Sequence, residues 1–224
     1  MFDQQVYPSE GEYGVSTVLP PASYAQPGKS GWAPMPLFSD YSSGCPPGLQ
    51  ALIPLDRIEF TRKTNDQGLA IKGTVKNMGG MKILKMKFHR SGEDITQSFY
   101  DNTGSEVLRC NTKAELCGQL CPCCCCLAES DGCGTKAEIE APLGHTIAKT
   151  KQKNAWCAYE FKVKDGSGDT KLIVKGTLEL EIETKSGKEI GKITAKQDKP
   201  GKITRTIKFP ADLDIKMKAA LLCF

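Results

Sequence analysis

The chain holds 224 residues, of which 39% are hydrophobic and 25% charged, and its 30 basic and 26 acidic side chains leave a net charge of +4. That size suits one large domain, or a domain with an extension, and the balance is that of a soluble globular protein rather than a membrane bundle. No run approaches the ~18 to 20 apolar residues that carry a helix across a bilayer. Met1 to Glu10 also lacks the basic and apolar regions of a secretory signal. The expectation is a protein made and kept in the cytosol.

Residues 1–54 carry nine of the thirteen prolines and six glycines, with hardly any periodic apolar pattern. Such a segment buries too little apolar surface to offset its ordering entropy, so it is predicted to be a disordered or extended leader, with the folded domain at 55–224. Lys29 stands there against Asp3, Glu10, Glu12 and Asp40, a net of −3, which leaves +7 for the rest. Gly28-Lys29-Ser30 imitates the end of a phosphate-binding loop, but Ser23 occupies the place of its first glycine.

From Asp56 onward apolar residues recur at every second position. Examples are Ile58 and Phe60, Leu69 and Ile71, Ile83 to Phe88, Tyr159, Phe161 and Val163, and Leu178, Leu180 and Ile182. Period two bounded by turn clusters (Asn77 to Gly80, Asp101 to Gly104, Asp165 to Asp169, Ser186 and Gly187) predicts strands and hairpins. The spacing gives about ten to twelve antiparallel strands, enough for a barrel or sandwich. Asp165-Gly-Ser167-Gly-Asp169 opens like a calcium loop, yet Thr170 and Gly176 stand where such a loop needs Gly and Glu, so it reads as a hairpin turn. One helix is predicted, beginning near Asp212 and running through Lys216, Met217, Ala219, Ala220, Leu221 and Leu222.

Eleven cysteines need an explanation in a reducing compartment, and seven of them lie between Cys110 and Cys126. Four consecutive cysteines, Cys123 to Cys126, diverge too much to share one ion. Cys117, Cys121, Cys133 and one member of the run could still make a zinc site. S-acylation needs only accessible thiols near a membrane and gains from having several, each buried methylene adding roughly 0.8 kcal/mol. Cys110 and Cys157 read as core thiols. His89 and His145 stand in no metal-ligand spacing, and no nucleophile–base arrangement is legible, which leaves hydrolase and transferase chemistry unsupported. The bases Lys82, Lys85, Lys87, Arg90, Lys149, Lys151, Lys153 and those from Lys185 to Lys208 read chiefly as a solvated outer face. Their minority reading is attraction to anionic phospholipids at a membrane surface. Nucleic acid fits less well, because aromatic residues that would stack on bases are only 7% of the chain.

These residues resemble the phospholipid scramblase family. The likeness begins at Cys45-Pro46-Pro47-Gly48-Leu49 and continues through Asp101 to Val107, the Cys121-Pro-Cys-Cys-Cys-Cys126 run, Ile139 to Gly144 and Gly191-Lys192-Ile193. It ends on Ile207 to Ala219, the most specific stretch. The resemblance implies a mainly β, tubby-like fold: a closed antiparallel barrel of about twelve strands threaded by a hydrophobic C-terminal helix. It further implies palmitate on Cys121, Cys123, Cys124, Cys125 and Cys126, attachment to the cytoplasmic face of the plasma membrane, and calcium-stimulated, bidirectional movement of phospholipids between leaflets, without covalent catalysis. Some members enter the nucleus when unacylated and bind DNA or proteins there. Gly191, Lys192 and Ile193 are the part of the import segment that this chain shares.

Three departures accompany the likeness. The family's acidic calcium loop aligns with Gly201 to Thr206, which is basic, so that only Asp212 remains as a calcium ligand. The terminal helix stops at Cys223-Phe224, short of the family's longer apolar stretch, and is expected to leave the barrel interior partly unfilled. The leader lacks the PPxY and PxxP motifs that bind WW and SH3 domains. A palmitoyl-anchored lipid-binding or adaptor protein is the alternative to a scramblase.

Overall fold

A computed structural model describes residues 44–65, 70–92, 94–113, 135–154 and 159–224. Twelve strands follow one another: β1 (Arg57–Thr64), β2 (Ala70–Lys76), β3 (Lys82–Ser91), β4 (Asp94–Tyr100), β5 (Glu106–Lys113), β6 (Lys136–Glu140), β7 (Thr146–Asn154), β8 (Tyr159–Asp165), β9 (Thr170–Gly176), β10 (Leu180–Thr184), β11 (Glu189–Lys199) and β12 (Lys202–Lys208). Each pairs antiparallel with its neighbours in sequence. β12 then returns to β1, from Arg57↔Lys208 to Lys63↔Lys202, and closes the barrel.

Because successive strands reverse direction, alternate connections share an end. One end gathers the turns at 77–81, 101–105, 141–145, 166–169 and 185–188. Four of these are the same device. The amide of Asn77, Asp101, Asp165 or Thr184 donates to the carbonyl four residues on, and the glycine at 80, 104, 168 or 187 donates back to the first residue's carbonyl. Those glycines have φ between 76° and 93°, the left-handed residue that completes a type I turn with a bulge and that a Cβ would oppose. This is why the turn clusters were visible in sequence. The other end gathers the remaining connections, including the β5–β6 segment 114–134 that holds the cysteine run. Cys117, Cys121, Cys123, Cys124, Cys125, Cys126, Cys133 and Cys157 all lie outside the described residues.

The inward positions of the strands form the core, from Ile58 and Phe60 on β1 through Leu84 and Met86, Phe99, Leu108 and Cys110, Ile139, Val163 and Val174 to Ile182 and Ile207, all nearly inaccessible. Leu178 departs from its predicted place in a strand. It sits in the β9–β10 connection and is 89% exposed. The helix, α1 (Ile215–Leu221), begins three residues later than the acids suggested, because Asp214 is its N-cap and accepts hydrogen bonds from the amides of Lys216 (2.8 Å) and Met217 (3.3 Å). It enters from the end with the short turns, and Met217, Ala219, Ala220, Leu221 and Leu222 are buried. Full burial of the Met and two Leu side chains contributes about 1.5–3 kcal/mol apiece.

Of the leader, residues 1–43 lie outside the described residues, and residues 44–54 pack against the barrel. A 3-10 turn at Gln50–Leu52 caps the helix-entry end, with Leu49 and Leu52 fully buried. Prolines 46, 47 and 54 obscured it, since they flank the turn without interrupting it. The Lys218 ammonium ties this cap to α1. Its three N–H groups donate to the carbonyls of Ile53 (2.7 Å), Ala211 (2.7 Å) and Leu55 (2.8 Å), one of them shared with the Leu52 carbonyl (3.3 Å), while the side chain is only 1% exposed. Burial lowers its pKa, and the carboxylates of Asp212 and Asp56 oppose that shift. Lys218→Ala would leave carbonyls unpaired in a dry site, and hydrogen bonds to a charged group are worth about 1.5–3 kcal/mol. Urea unfolding should therefore show a loss of ~3 kcal/mol; a loss below ~1 kcal/mol would contradict the latch.

Candidate functional site

The end of the barrel opposite the helix entry carries three features together. The first is electrostatic. Cross-strand neighbours Lys199, Lys202, Lys63, Lys72 and Lys87 follow one another over β11, β12, β1, β2 and β3. These positions alternate with the inward residues Phe60, Val75 and Met86, so the side chains lie on the outer wall. A second row, Lys113, Lys136, Lys151 and Lys162, crosses β5 to β8. Its first two members flank the segment that carries Cys121 to Cys126. Like charges directly opposite each other destabilise a sheet. Among the first row, Lys202 has an ion pair with Asp198 at 2.9 Å, and Lys87 lies over the Tyr100 ring at 4.8 Å.

The second feature is a notch in the wall. β10 pairs with β11 only between Leu180↔Ile193 and Glu183↔Glu189, so Thr194 to Lys199 has β12 alone as a partner. Over this low wall stand Leu178 and the half-exposed Tyr159.

The third is the lumen behind it. A cavity of about 390 Å³ is lined in part by Phe224, beyond the end of α1. Its wall is largely apolar, with Phe161 edge-on to Phe224 at 5.1 Å, and includes Leu180 and Ile193. Two arginines interrupt it. Arg62 follows Ile58 and Phe60 on the inward face of β1, and Arg205 lies between Ile203 and Ile207 on the inward face of β12. Arg62 donates to the Phe224 carbonyl (2.5 Å) and more weakly to Gln97 (3.5 Å), and it lies 4.7 Å above the Phe60 ring. Its buried Nε has no partner. Burial and the Arg205 charge push its pKa down to about 9, so it remains charged at neutral pH. Burial likewise lowers Arg205, which has no hydrogen bond or ion pair among the described residues. Beside them lie the thiols of Cys110, 3.8 Å from the Thr112 hydroxyl, and Cys223, 4.0 Å from the Ala219 carbonyl; their proximity lowers the pKa of Cys110 and, with burial, raises that of Cys223. Sequence reading counted Arg205 with the solvated bases and passed over Arg62. Their parity with Ile58, Phe60, Ile203 and Ile207 was the available signal.

The remaining predicted residues lie elsewhere. Gly191, Lys192 and Ile193 are held in the β11 ladder. A Cβ on Gly191 would strike the Lys208 carbonyl, Lys192 is ion-paired with Glu179, and Ile193 is in the core. Presenting them as an import segment would require β11 to leave the barrel. Asp212 is exposed on the bend before α1. Calcium takes six to eight oxygens. The carbonyls beside Asp212 are given to Lys218, Asp214 caps the helix, and no cluster of three metal-ligating side chains exists among the described residues. These residues do not fit a calcium ion, and the role the structure gives Asp212 is to help keep Lys218 charged.

Comparison with known proteins extends the resemblance read from the motifs. The sequence profile of the family described as Scramblase matches residues 35–224. The chain belongs to the scramblase family. It is 26% identical over 264 aligned residues to phospholipid scramblase 2 of Bos taurus, an alignment that takes in 100% of this chain and 80% of the relative. Its identity to phospholipid scramblase 2 of Homo sapiens is 25% over 246 residues, with 92% of this chain and 80% of the relative covered. Among solved structures, the X-ray structure of a protein from Arabidopsis thaliana matches 74% of this chain and 87% of its own, at 12% identity and a TM-score of 0.44. Family membership points to lipid translocation rather than covalent catalysis.

Arg205 is partly buried, has no partner among the described residues and lies near a second positive charge, so removing it should stabilise this scramblase-family barrel. Arg205→Leu is expected to gain ~1 kcal/mol, about 3 °C in Tm for a domain of this size. A lowered Tm in a calorimetric scan would contradict the absence of a counter-ion.

Proposed function

We propose that the chain is a peripheral phospholipid scramblase of the inner plasma-membrane leaflet, with the cysteine-bearing end of the barrel against the bilayer. The observation that carries this reading is the five-lysine row around the end from which the Cys121–Cys126 segment departs. Adjacent like charges cost stability in water, whereas each Lys near an anionic leaflet contributes on the order of 1 kcal/mol. Palmitoyl chains on Cys121, Cys123, Cys124, Cys125 and Cys126 supply the further attachment that stable anchoring needs.

Support for a position at the surface comes from the outer wall, where the exposed Lys149–Glu138 ion pair lies in mid-strand. A lysine on a lipid-facing strand at the bilayer midplane costs about 2–4 kcal/mol. Among the described residues no helix is long and apolar enough to cross a membrane. A headgroup moving between leaflets must pass ~30 Å of hydrocarbon, where each unpaired polar group costs several kcal/mol. The barrel lowers that barrier from one side, by drawing headgroups to its lysines and disturbing lipid packing beneath the acylated loop. Calcium has no step in this reading.

Replacing Lys63, Lys72 and Lys199 together by Gln should remove about 3 kcal/mol of affinity for phosphatidylserine vesicles, roughly a hundredfold. Sedimentation at fixed low salt reads this directly, and a loss under threefold would contradict the orientation. The activity itself is tested with acylated protein in vesicles that carry a labelled lipid in one leaflet. The label should equilibrate without added calcium and stay in place when the five cysteines are replaced by Ser. A label that never moves with the acylated wild type refutes the scramblase reading.

A further inference from the structure

We infer that the barrel lumen is a binding site for a single-chain anionic amphiphile, its head held between Arg62 and Arg205 and its chain lying along Phe161, Leu180 and Ile193 toward the notch at Leu178. The site differs from the lysine rows and from the acylated segment. It needs neither a membrane nor an acylated protein.

The unbalanced charge comes first. Buried cations are ordinarily paired or hydrogen-bonded, because an uncompensated charge in a low-dielectric interior is costly. Here two partly buried guanidiniums face one lumen whose lining holds no acidic side chain, and the one main-chain oxygen brought to them, that of Phe224, is taken by Arg62. Arg62 leaves Nε without an acceptor, Arg205 leaves its whole fork without one among the described residues, and each guanidinium makes the other less favourable. Water in the cavity can accept hydrogen bonds but brings no negative charge. A carboxylate or phosphate supplies both, and planar guanidinium forks match the oxygens of either group.

The remaining wall excludes a small hydrophilic anion as the natural occupant. About 390 Å³ lies within the range of small-molecule sites, and most of that surface is aliphatic or aromatic, which a bare phosphate would leave wet. The notch provides the way in. Over Thr194 to Lys199 the wall lacks the β10 strand, and its sill presents Leu178 at 89% exposure and Tyr159 at 54%. Exposed apolar side chains beside an apolar cavity suit a chain that slides over them with its head leading.

The test is calorimetric titration of the full-length, unacylated protein with dodecanoate and with dodecyl phosphate below their micelle concentrations, beside dodecanol and dodecyltrimethylammonium. One molecule of at least one of the two anions is expected to bind per chain, at least tenfold more tightly than the alcohol, and the cation is expected not to bind. The stronger of the two anions identifies a fatty acid or a phosphate-headed lipid as the source. Arg205→Leu should weaken the anion at least tenfold while keeping or raising its Tm, which separates a lost site from a lost fold. The Lys63, Lys72 and Lys199 to Gln variant should bind as wild type does. No binding of either anion, equal affinity for dodecanol, undiminished binding by Arg205→Leu, or loss of binding in the lysine variant would each overturn the assignment.

Discussion

The constraint from which the rest of this structure follows is the parity of an uninterrupted antiparallel meander. Every strand pairs with its neighbours in sequence, and β12 closes on β1, so each connection is assigned to one end by counting alone. Short turns with left-handed glycines, the capping segment at 44–56 and the entry of α1 fall at one end. The cysteine-bearing connection, the upper lysines, the notch and the mouth of the lumen fall at the other. One end is sealed by Lys218, whose three N–H groups serve four carbonyls gathered from a 3-10 turn and a bend. The opposite end carries the two lysine rows.

The interior shows the same polarity. Around α1 the lumen is filled by apolar side chains, with Phe60 and Phe99 in ring contact at 5.9 Å. Beyond Phe224 it is open and holds two arginines, of which Arg62 is bonded to the Phe224 main-chain oxygen and lies over the Phe60 ring, while Arg205 has no partner among the described residues. A fold optimised for stability alone would place leucine at 205.

Much of the architecture was legible because strand period and turn chemistry are local signals. The alternation Ile58, Phe60 and the sequence Asp165-Gly-Ser-Gly-Asp169 need no partner to be read. What escaped was whatever depends on register or on a distant contact. The lysine row exists only once Lys63 is known to face both Lys72 and Lys202. Lys218 was passed over within the terminal helix, since nothing nearby reveals that residues 52–55 return to meet it. Leu178 kept the period of its neighbours and still lies outside the strand. Arg62 and Arg205 were the exception, for their inward parity was present in the sequence and their charge argued against believing it. The cysteine run could be recognised by composition, and its flanks at Lys113 and Lys136 now assign it an end.

The proposed function has this closed barrel meet an anionic bilayer with one end only. Depth-dependent quenching tests that orientation most directly. A fluorescent noncanonical residue is placed at position 178, on the cysteine-bearing end, or at position 186, in the β10–β11 turn on the other, and the acylated protein is bound to vesicles containing nitroxide-labelled lipids. The account predicts strong quenching at 178 and none above the aqueous background at 186. Equal quenching at the two positions, or quenching at 186 alone, would contradict it.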